Sequence, residues 1–145
     1  MKLPKNFSKE DIEDIKQAVL NAELDTSGEI RVHIENICPD DNVMDRATHI
    51  FDKLKIYKTV DRNGILFYFA VESKQFAILG DSGINSVIDT GYWDELKDLA
   101  VEYFKKGEYA DGLINIIGKT GLELKKNFPY KVKDVNELPD DVSLG

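Results

Sequence analysis

Oxygen-bearing side chains that could hold a metal ion stand in separate polar segments of the sequence. They are Glu29, Asp61 and Asn63 in "DRNG", Asp81 in "GDSG", and Asp89. Ca²⁺ takes about six to eight oxygen ligands from carboxylates, amides and backbone carbonyls, whereas Mg²⁺ requires a stricter octahedral set. If the fold brings these residues together, they predict a divalent-cation site, with Ca²⁺ as the first candidate and Mg²⁺ as the alternative.

The same residues have a simpler interpretation as turn formers. Asp and Asn side chains cap loops and tolerate unusual dihedral angles, so Asp61, Asn63 and Asp81 could serve the turns alone. Zn²⁺ is disfavoured, because His33 and His49 lack a ligand spacing and the chain has a single cysteine. The turn interpretation and the metal interpretation therefore both stay open at the level of the sequence.

A catalytic role for the "GDSG" elbow finds little support. The elbow resembles the serine-protease segment "GDSGGP", but the match ends at Ile84, and the two histidines suggest no triad geometry. The phosphate-binding pattern "GxxxxGK[ST]" does not occur in the sequence. The remaining enzyme alternative is hydrolysis of a phosphate ester by a metal-activated water at the same carboxylates. No catalytic residue is therefore assigned.

Hydrophobic periodicity predicts the first elements that must position these residues. A helix begins at Ser8 with the N-cap pattern of "SKED". The segment "EIRVHIENI" alternates as a half-buried strand, with Arg31, His33 and Glu35 on its polar face. A second helix is predicted over about Asn42 to Tyr57, where apolar residues recur at helical spacing.

A hairpin and two longer helices follow. The segment "GILFYFAVE", Gly64 to Glu72, is apolar through Val71, which predicts a central strand covered on both faces. "ESK" then turns the chain into an antiparallel strand, "QFAILG". One helix begins near Tyr92 and another after "KGEYADG", and "YKVKDV" could add a short extra strand.

The order of these elements predicts an α/β fold, a three-layer α/β/α domain with a small mixed sheet. A strand–helix–strand unit forms a parallel pair by a right-handed crossover. The hairpin then returns the chain to the end of the sheet where the first two strands begin. Glu29, Asp61, Asn63 and Asp81 should therefore converge in one loop layer, and Asp89, a short turn further on, could join them.

Composition and charge narrow the classes of partner. The 145 residues carry a formal net charge of −8, which argues against binding of a nucleic-acid backbone by clustered Lys and Arg. No apolar run approaches the ~18 residues of a membrane span, so no direct membrane insertion is expected. The segment "MKLPKNFSKED" lacks the apolar core of a secretory signal, and Cys38 has no partner for an internal disulfide. We therefore expect a cytoplasmic protein whose acidic surface suits cations.

The chain resembles the TPM domain family, an α/β group found in bacteria and in chloroplasts. Four segments between about residues 8 and 130 carry the resemblance: "TSGEIRVHIEN", "NGILFYFAVESKQFAILGDSGI", "YFKKGEYADGL" and "FPY". The resemblance implies one three-layer domain, which we assign to residues 1–130, and the composition of residues 131–145 predicts a polar tail. It also implies divalent-cation binding, with Ca²⁺ first. Many relatives carry a signal peptide or a transmembrane segment. We expect neither in this sequence, so the chain looks like a stand-alone member of bacterial type.

One departure from the family pattern bears on function. The Gly-acidic-aromatic segment of the family is matched by Gly107, Glu108 and Tyr109, but Ala110 stands where the family often has Asp, and the acid shifts to Asp111. A phosphatase activity is attached to the family name, and the resemblance does not carry it safely to this chain. Any ligand role for this segment is therefore not assigned.

Three hypotheses follow for function. The first is a divalent-cation-binding module that responds to its metal, which predicts that the metal stabilises the fold. The second is a metal-assisted phosphatase, which predicts turnover of a phosphate ester that a chelator abolishes. The third is an interaction partner of a membrane protein, docked through an exposed apolar patch, with the partner itself unknown.

Overall fold

The computed structural model of the chain describes residues 2–129 and 142–145. Within these residues the chain forms five helices, one of them a single turn, and four short strands. Their bounds in chain order are α1 Lys9–Glu23, β1 Glu29–Glu35, α2 Val43–Lys53, β2 Gly64–Ala70, β3 Gln75–Gly80, α3 Ser82–Asn85, α4 Tyr92–Lys105, α5 Tyr109–Asn127 and β4 Val142–Leu144.

The four strands form one mixed sheet in the order β3-β2-β1-β4. β1 and β2 are parallel, with Glu29 opposite Gly64, and β3 pairs antiparallel with β2, with Gly80 opposite Ile65. The predicted parallel pairing of β1 with β2 and the predicted hairpin are therefore both confirmed. Since β2 and β1 occupy the two inner positions, the strand predicted to be central is central.

Helices cover both faces of this sheet, which confirms the α/β fold. Ile65 and Phe67 of β2 join the core that α1, α4 and α5 form on one face. Leu66 and Tyr68 join a second core, which α2 closes on the other face. The alternation of strand side chains explains why an entirely apolar β2 is needed, because each of its two sets of residues faces a helical layer.

The polar face of β1 is buried, and the prediction of a half-buried strand was wrong. All seven residues of β1 are buried, and the exposed fractions of Arg31, His33 and Glu35 are 7 %, 7 % and 6 %. Two elements provide the cover: Arg46 of α2 bonds Glu35, and Ser143 of β4 accepts a hydrogen bond from Arg31. These contacts exclude water from the face that the alternation of residues assigned to solvent.

Several element boundaries differ from those predicted. α2 ends at Lys53 rather than Tyr57, since Lys55 takes a left-handed backbone with φ 57°. α5 begins at Tyr109 rather than after "KGEYADG", and the elbow after β3 continues into the single turn of α3. The strand proposed for "YKVKDV" lies outside the described residues, whereas the structure adds β4, for which the sequence predicted no strand.

Candidate functional site

Backbone hydrogen bonds bring three polar loops together at the end of the sheet where β1 and β2 begin. The N–H of Glu29 donates to the carbonyl oxygen of Asn63 at 3.4 Å. The N–H of Gly83 donates to the carbonyl oxygen of Arg62 at 2.8 Å, which ties the elbow after β3 to the loop before β2. We call the resulting region the acidic loop layer, and it consists of residues 27–29, 61–63 and 81–83.

Asn63 is an enclosed polar side chain of this layer, with an exposed fraction of 1 %. Its Nδ2 donates to Ser27 Oγ at 3.2 Å, and Ser27 Oγ donates to Asp61 Oδ2 at 3.3 Å. The Oδ1 of Asn63 has no hydrogen-bond partner among the described residues. A buried acceptor left without a partner costs about 1–3 kcal/mol. This oxygen therefore marks a point in the layer that a donor or a cation would satisfy.

Asp81 accepts hydrogen bonds from two sides. Nε and Nη2 of Arg62 donate to its two carboxylate oxygens at 2.6 and 2.7 Å, and the N–H of Ser82 donates to Oδ1 at 2.7 Å. This carboxylate raises the pKa of Arg62, first through the hydrogen bonds and then through its charge. Arg62 has a left-handed backbone with φ 51°, and its side chain is 51 % exposed. The counter-ion of Asp81 is thus an arginine of the same chain whose side chain is half exposed to water.

Close backbone packing explains why the last residue of the "GDSG" elbow, Gly83, is a glycine. A Cβ atom at this position would lie 1.9 Å from the carbonyl oxygen of Asp61 and 2.7 Å from that of Arg62. Real Cβ atoms do not approach backbone atoms so closely, so only glycine lets the start of α3 pack on the loop before β2. The elbow is a close backbone contact that sets the position of Asp81.

Glu29 and Asp89 are placed differently from the other predicted ligands. Glu29 is 2 % exposed, and its side chain lies on the face of β1 that carries Glu35. Asp89 is exposed, and its carbonyl oxygen accepts the N–H of Tyr92 at 3.1 Å, within its own turn. In the part of the chain that the structure describes, no three Asp, Glu, His or Cys side chains form a group that could hold a metal ion. The loops converge, but a preformed cage of carboxylates is absent from the described residues.

A second polar cluster lies on the α2 side of β1, and the sequence did not predict it. Both Nε and Nη2 of Arg46 donate to Glu35 at 2.8 Å, and the Tyr68 hydroxyl donates to Glu35 Oε2. Nε2 of His33 lies 3.8 Å from Glu35 Oε1, and its ring stacks on Tyr68 with centroids 6.0 Å apart. The signal was present in the sequence: three ionisable residues share a face of a strand whose neighbour is covered on both faces.

The pKa shifts in this cluster reflect burial and the hydrogen bonds to Glu35. Burial by itself raises the pKa of the Glu35 carboxyl, but the hydrogen bonds from Arg46 and Tyr68 and the charge of Arg46 bring that pKa below its usual value. Burial lowers the pKa of His33. Burial and the hydrogen bond to Glu35 raise the pKa of Tyr68 far above its usual value. The carboxylate is therefore charged and paired, whereas neither ring nitrogen of His33 has a hydrogen-bond partner among the described residues.

The fold and the acidic loop layer define a three-layer α/β domain with polar loops gathered where its parallel strands begin. The family model of the TPM domain matches residues 4–121, well over half of the chain, so the chain belongs to the TPM domain family. The resemblance seen in the sequence is thereby confirmed.

Solved structures that are similar to this chain include two determined by NMR. The NMR structure of the BA42 protein from the psychrophilic bacterium Bizionia argentinensis has a TM-score of 0.89 at 42% identity, with 99% of each chain covered. The N-terminal domain of the cg2496 protein from Corynebacterium glutamicum has a TM-score of 0.64 at 12% identity, with 94% of this chain and 79% of that one covered. The second likeness shows the fold alone. The comparison with curated proteins gives no match.

The helices also bear on the expected relation to membranes. Among the described residues, none of the helices combines the length and the apolar composition that a membrane span needs. The expectation of no direct membrane insertion is consistent with this finding.

Proposed function

We propose that this chain is a divalent-cation-binding domain whose site is the acidic loop layer, with Ca²⁺ as the preferred ion and Mg²⁺ as the alternative. The observation that carries the proposal is the buried Oδ1 of Asn63, which lacks a partner among the described residues beside a hydrogen-bonded Ser27 and Asp61. A cation at this oxygen removes the cost of an unsatisfied acceptor.

The available donors fit Ca²⁺ better than a transition metal. The layer offers the carboxylates of Asp61 and Asp81, the amide oxygen of Asn63, the hydroxyl of Ser27 and backbone carbonyls. All of these are hard oxygen ligands, and Ca²⁺ accepts about six to eight of them in flexible arrangements. Mg²⁺ demands octahedral geometry and keeps several waters, so it suits the same residues with fewer direct bonds.

Arg62 must release Asp81 for this carboxylate to bind a cation. The side chain of Arg62 is half exposed, so the guanidinium can move into water, where its own positive charge is hydrated. The cation then replaces it as the counter-ion of Asp81. Glu29 and Asp89 complete the proposed ligand set. The backbone N–H of Glu29 donates to the carbonyl oxygen of Asn63, which places Glu29 at the layer. Asp89 joins only if its exposed turn folds back over the layer.

Titration of chelator-stripped protein with Ca²⁺ and Mg²⁺, followed by amide NMR shifts, tests this proposal. We expect saturable shifts in the acidic loop layer, and we expect Asp81→Asn and Asp61→Asn each to weaken binding by at least about tenfold, the factor for loss of one charged ligand. Asp98→Asn, an exposed residue of α4, is the matched control and should leave the affinity unchanged. Equal affinities in all the variants would contradict the proposal.

The cellular setting and the enzyme alternative need separate measurements. We propose a cytoplasmic location, which fractionation of native cells tests. Hydrolysis of a generic phosphate ester, measured with and without chelator in the same variants, tests whether a bound cation activates water. Cation binding without turnover would leave the binding module as the function.

A further inference from the structure

A cavity of about 710 Å³ lies at the opposite end of the β2–β3 hairpin from the acidic loop layer. Phe69 and Val71 near the end of β2, Phe76 near the start of β3, and the junction between α4 and α5 form its walls. Ligand-binding pockets commonly enclose roughly 300–1,000 Å³, so the cavity can hold a small organic molecule. The acidic loop layer contributes none of its described lining residues.

The floor of the cavity is aromatic. Phe104 stacks on Phe69 with ring centroids 4.4 Å apart and meets Phe76 edge-on at 5.2 Å. The ring centroid of Tyr109 lies 5.4 Å from that of Phe69 and 5.8 Å from that of Phe104. Phe69 and Phe76 are buried, whereas Phe104 and Tyr109 are partly exposed toward the opening. A planar or apolar body can therefore pack on rings that are already held in place.

Four lysines surround this floor, and none of the described residues that line the cavity is acidic. They are Lys74 in the hairpin turn, Lys97 on α4, and Lys105 and Lys106 at the end of α4. The chain as a whole carries a formal net charge of −8, so this local excess of positive charge opposes the overall balance. Such a patch attracts an anion rather than a cation.

The helix dipole does not account for the whole lysine rim. It explains Lys105 and Lys106, which lie where α4 ends, but not Lys74 or Lys97. Lys105 is 3.7 Å from Glu102 in an exposed pair, whereas Lys74, Lys97 and Lys106 form no ion pair with any described residue. Three ammonium groups thus remain available beside the aromatic floor.

We propose that this cavity binds a small organic anion that joins a carboxylate, sulfonate or phosphate group to an aromatic body. The rings of Phe104 and Tyr109 hold the body, and the lysine rim holds the acidic group. Both parts are required, because lysines at the surface bind simple anions weakly and an apolar floor alone does not select charge. This site is independent of the cation site proposed above.

The matched ligand pair 8-anilinonaphthalene-1-sulfonate and N-phenyl-1-naphthylamine tests the proposal on the full chain. The two share one aromatic body, and only the first carries an anion. We expect one saturable site for the sulfonate, with NMR shifts at Phe104 and Tyr109. The neutral analogue should bind at least about tenfold more weakly, the factor that one charge-assisted hydrogen bond contributes.

Two variants with the same change of charge locate the site. Lys97→Gln/Lys106→Gln should raise the Kd for the sulfonate about 3- to 30-fold, the range for loss of two exposed charge pairs. Lys9→Gln/Lys58→Gln changes two exposed lysines that do not line the cavity, and it should leave the Kd unchanged. Val101→Phe fills the cavity while keeping every lysine, and it should abolish the shifts.

Several results would overturn the proposal. Equal binding of the neutral analogue would show that charge is not selected. Equal binding of inorganic phosphate would show that the aromatic floor is not used. Equal weakening by the control variant, or sulfonate shifts that persist in Val101→Phe, would place the ligand outside this cavity. Addition of Ca²⁺ or chelator should not change the result, so failure here is distinguishable from failure of the cation site.

Discussion

Two arginine–carboxylate pairs in this chain have nearly the same geometry and very different surroundings. Arg46 donates to both oxygens of Glu35 at 2.8 Å, and Arg62 donates to both oxygens of Asp81 at 2.6 and 2.7 Å. The carboxylate side chains are equally enclosed, at 7% and 6% exposed. The arginines differ, since the side chain of Arg46 is 18% exposed and that of Arg62 is 51% exposed.

This difference separates a structural ion pair from an exchangeable one. Arg46 is held between α2 and the sheet, where removal of either partner leaves a charge that water does not reach. Arg62 covers its carboxylate from the solvent side with a side chain that is 51% exposed, so its departure opens Asp81 to water and costs less. The arginine–carboxylate pair at Glu35 is therefore held within the fold, whereas the pair at Asp81 is the one that the proposed cation would exchange.

The largest expected effect follows from breaking the enclosed pair. Arg46→Met should lower the free energy of unfolding by about 3–5 kcal/mol, because Glu35 stays buried without its counter-ion. Urea denaturation followed by circular dichroism measures this loss. The double variant Glu35→Gln/Arg46→Met removes both charges and should recover part of it. A loss below about 1 kcal/mol would mean that water reaches Glu35 and that the contrast between the two pairs is false.

The next effect concerns the backbone contact that carries the exposed pair. Gly83→Ala should lower the free energy of unfolding by about 1–3 kcal/mol, because its Cβ would collide with the carbonyl oxygens of Asp61 and Arg62. Gly118→Ala is the matched control, since that position in α5 has open space, and it should raise stability by about 0.5–1 kcal/mol.

The two glycine variants also test where the perturbation goes. For Gly83→Ala, amide shifts should change in the acidic loop layer and leave the Glu35 cluster unaffected. Shifts that spread to Arg46 would show that the two arginine pairs form one unit rather than two.

The parts of the fold that follow local rules could be predicted from the sequence. β2 is apolar at every position, so it had to be central, and the short "ESK" turn fixed the antiparallel hairpin. The convergence of the loops at Glu29, Asn63 and Asp81 followed from the direction of the strands alone. These features depend on periodicity and on chain direction, both of which a single sequence contains.

The parts that depend on distant residues could not be predicted. The polar face of β1 is buried because Ser143, 112 residues after Arg31, lies on it in β4. Arg62 pairs with Asp81, 19 residues further on, from a left-handed backbone at φ 51° that is uncommon for arginine. The lysine rim combines residues from a turn and from a helix, and their sequence spacing is not regular. Each case requires three-dimensional contacts.

The pH dependence of stability gives a smaller effect, confined to the enclosed pair and its neighbour His33. Burial, the largest cause, together with the charges of Arg46 and Lys53, holds the pKa of folded His33 below its ordinary 6.5 despite the opposing charge of Glu35. In the pH interval below 6.5 the unfolded state therefore binds more protons, and stability falls as pH falls, by at most about 1.4 kcal/mol per pH unit.

Glu35 adds to this loss at lower pH. Its folded pKa is depressed below an ordinary value of 4.5, so the stability that it contributes is present above 4.5 and is lost as pH falls through the folded pKa. His33→Gln should flatten the slope just below pH 6.5 but not the loss below 4.5. His49→Gln, which changes an exposed residue of α2, should leave both segments unchanged. An unchanged slope in His33→Gln would contradict the prediction.

The smallest change in stability, and the one most informative about function, is expected at the exposed pair. Arg62→Gln should reduce stability less than Arg46→Met, because the half-exposed Arg62 side chain covers Asp81 from the solvent side and its removal lets water reach the carboxylate. If Arg62 and a cation compete for Asp81, the same variant should bind Ca²⁺ several-fold more tightly, because the ion no longer has to displace the guanidinium. Calorimetric titration at low ionic strength measures this gain.

The competition also predicts opposite responses to metal in thermal unfolding. In chelator, Arg62→Gln should melt below the natural chain, because Asp81 has lost its counter-ion. In excess Ca²⁺ the difference in melting temperature should become smaller or change sign, since the ion binds the folded state and stabilises it by mass action. Lys58→Gln removes an exposed charge near the same loop and should show neither response. Weaker Ca²⁺ binding in Arg62→Gln would mean that the guanidinium supports the site, so Asp81 would belong with Glu35 as a structural carboxylate.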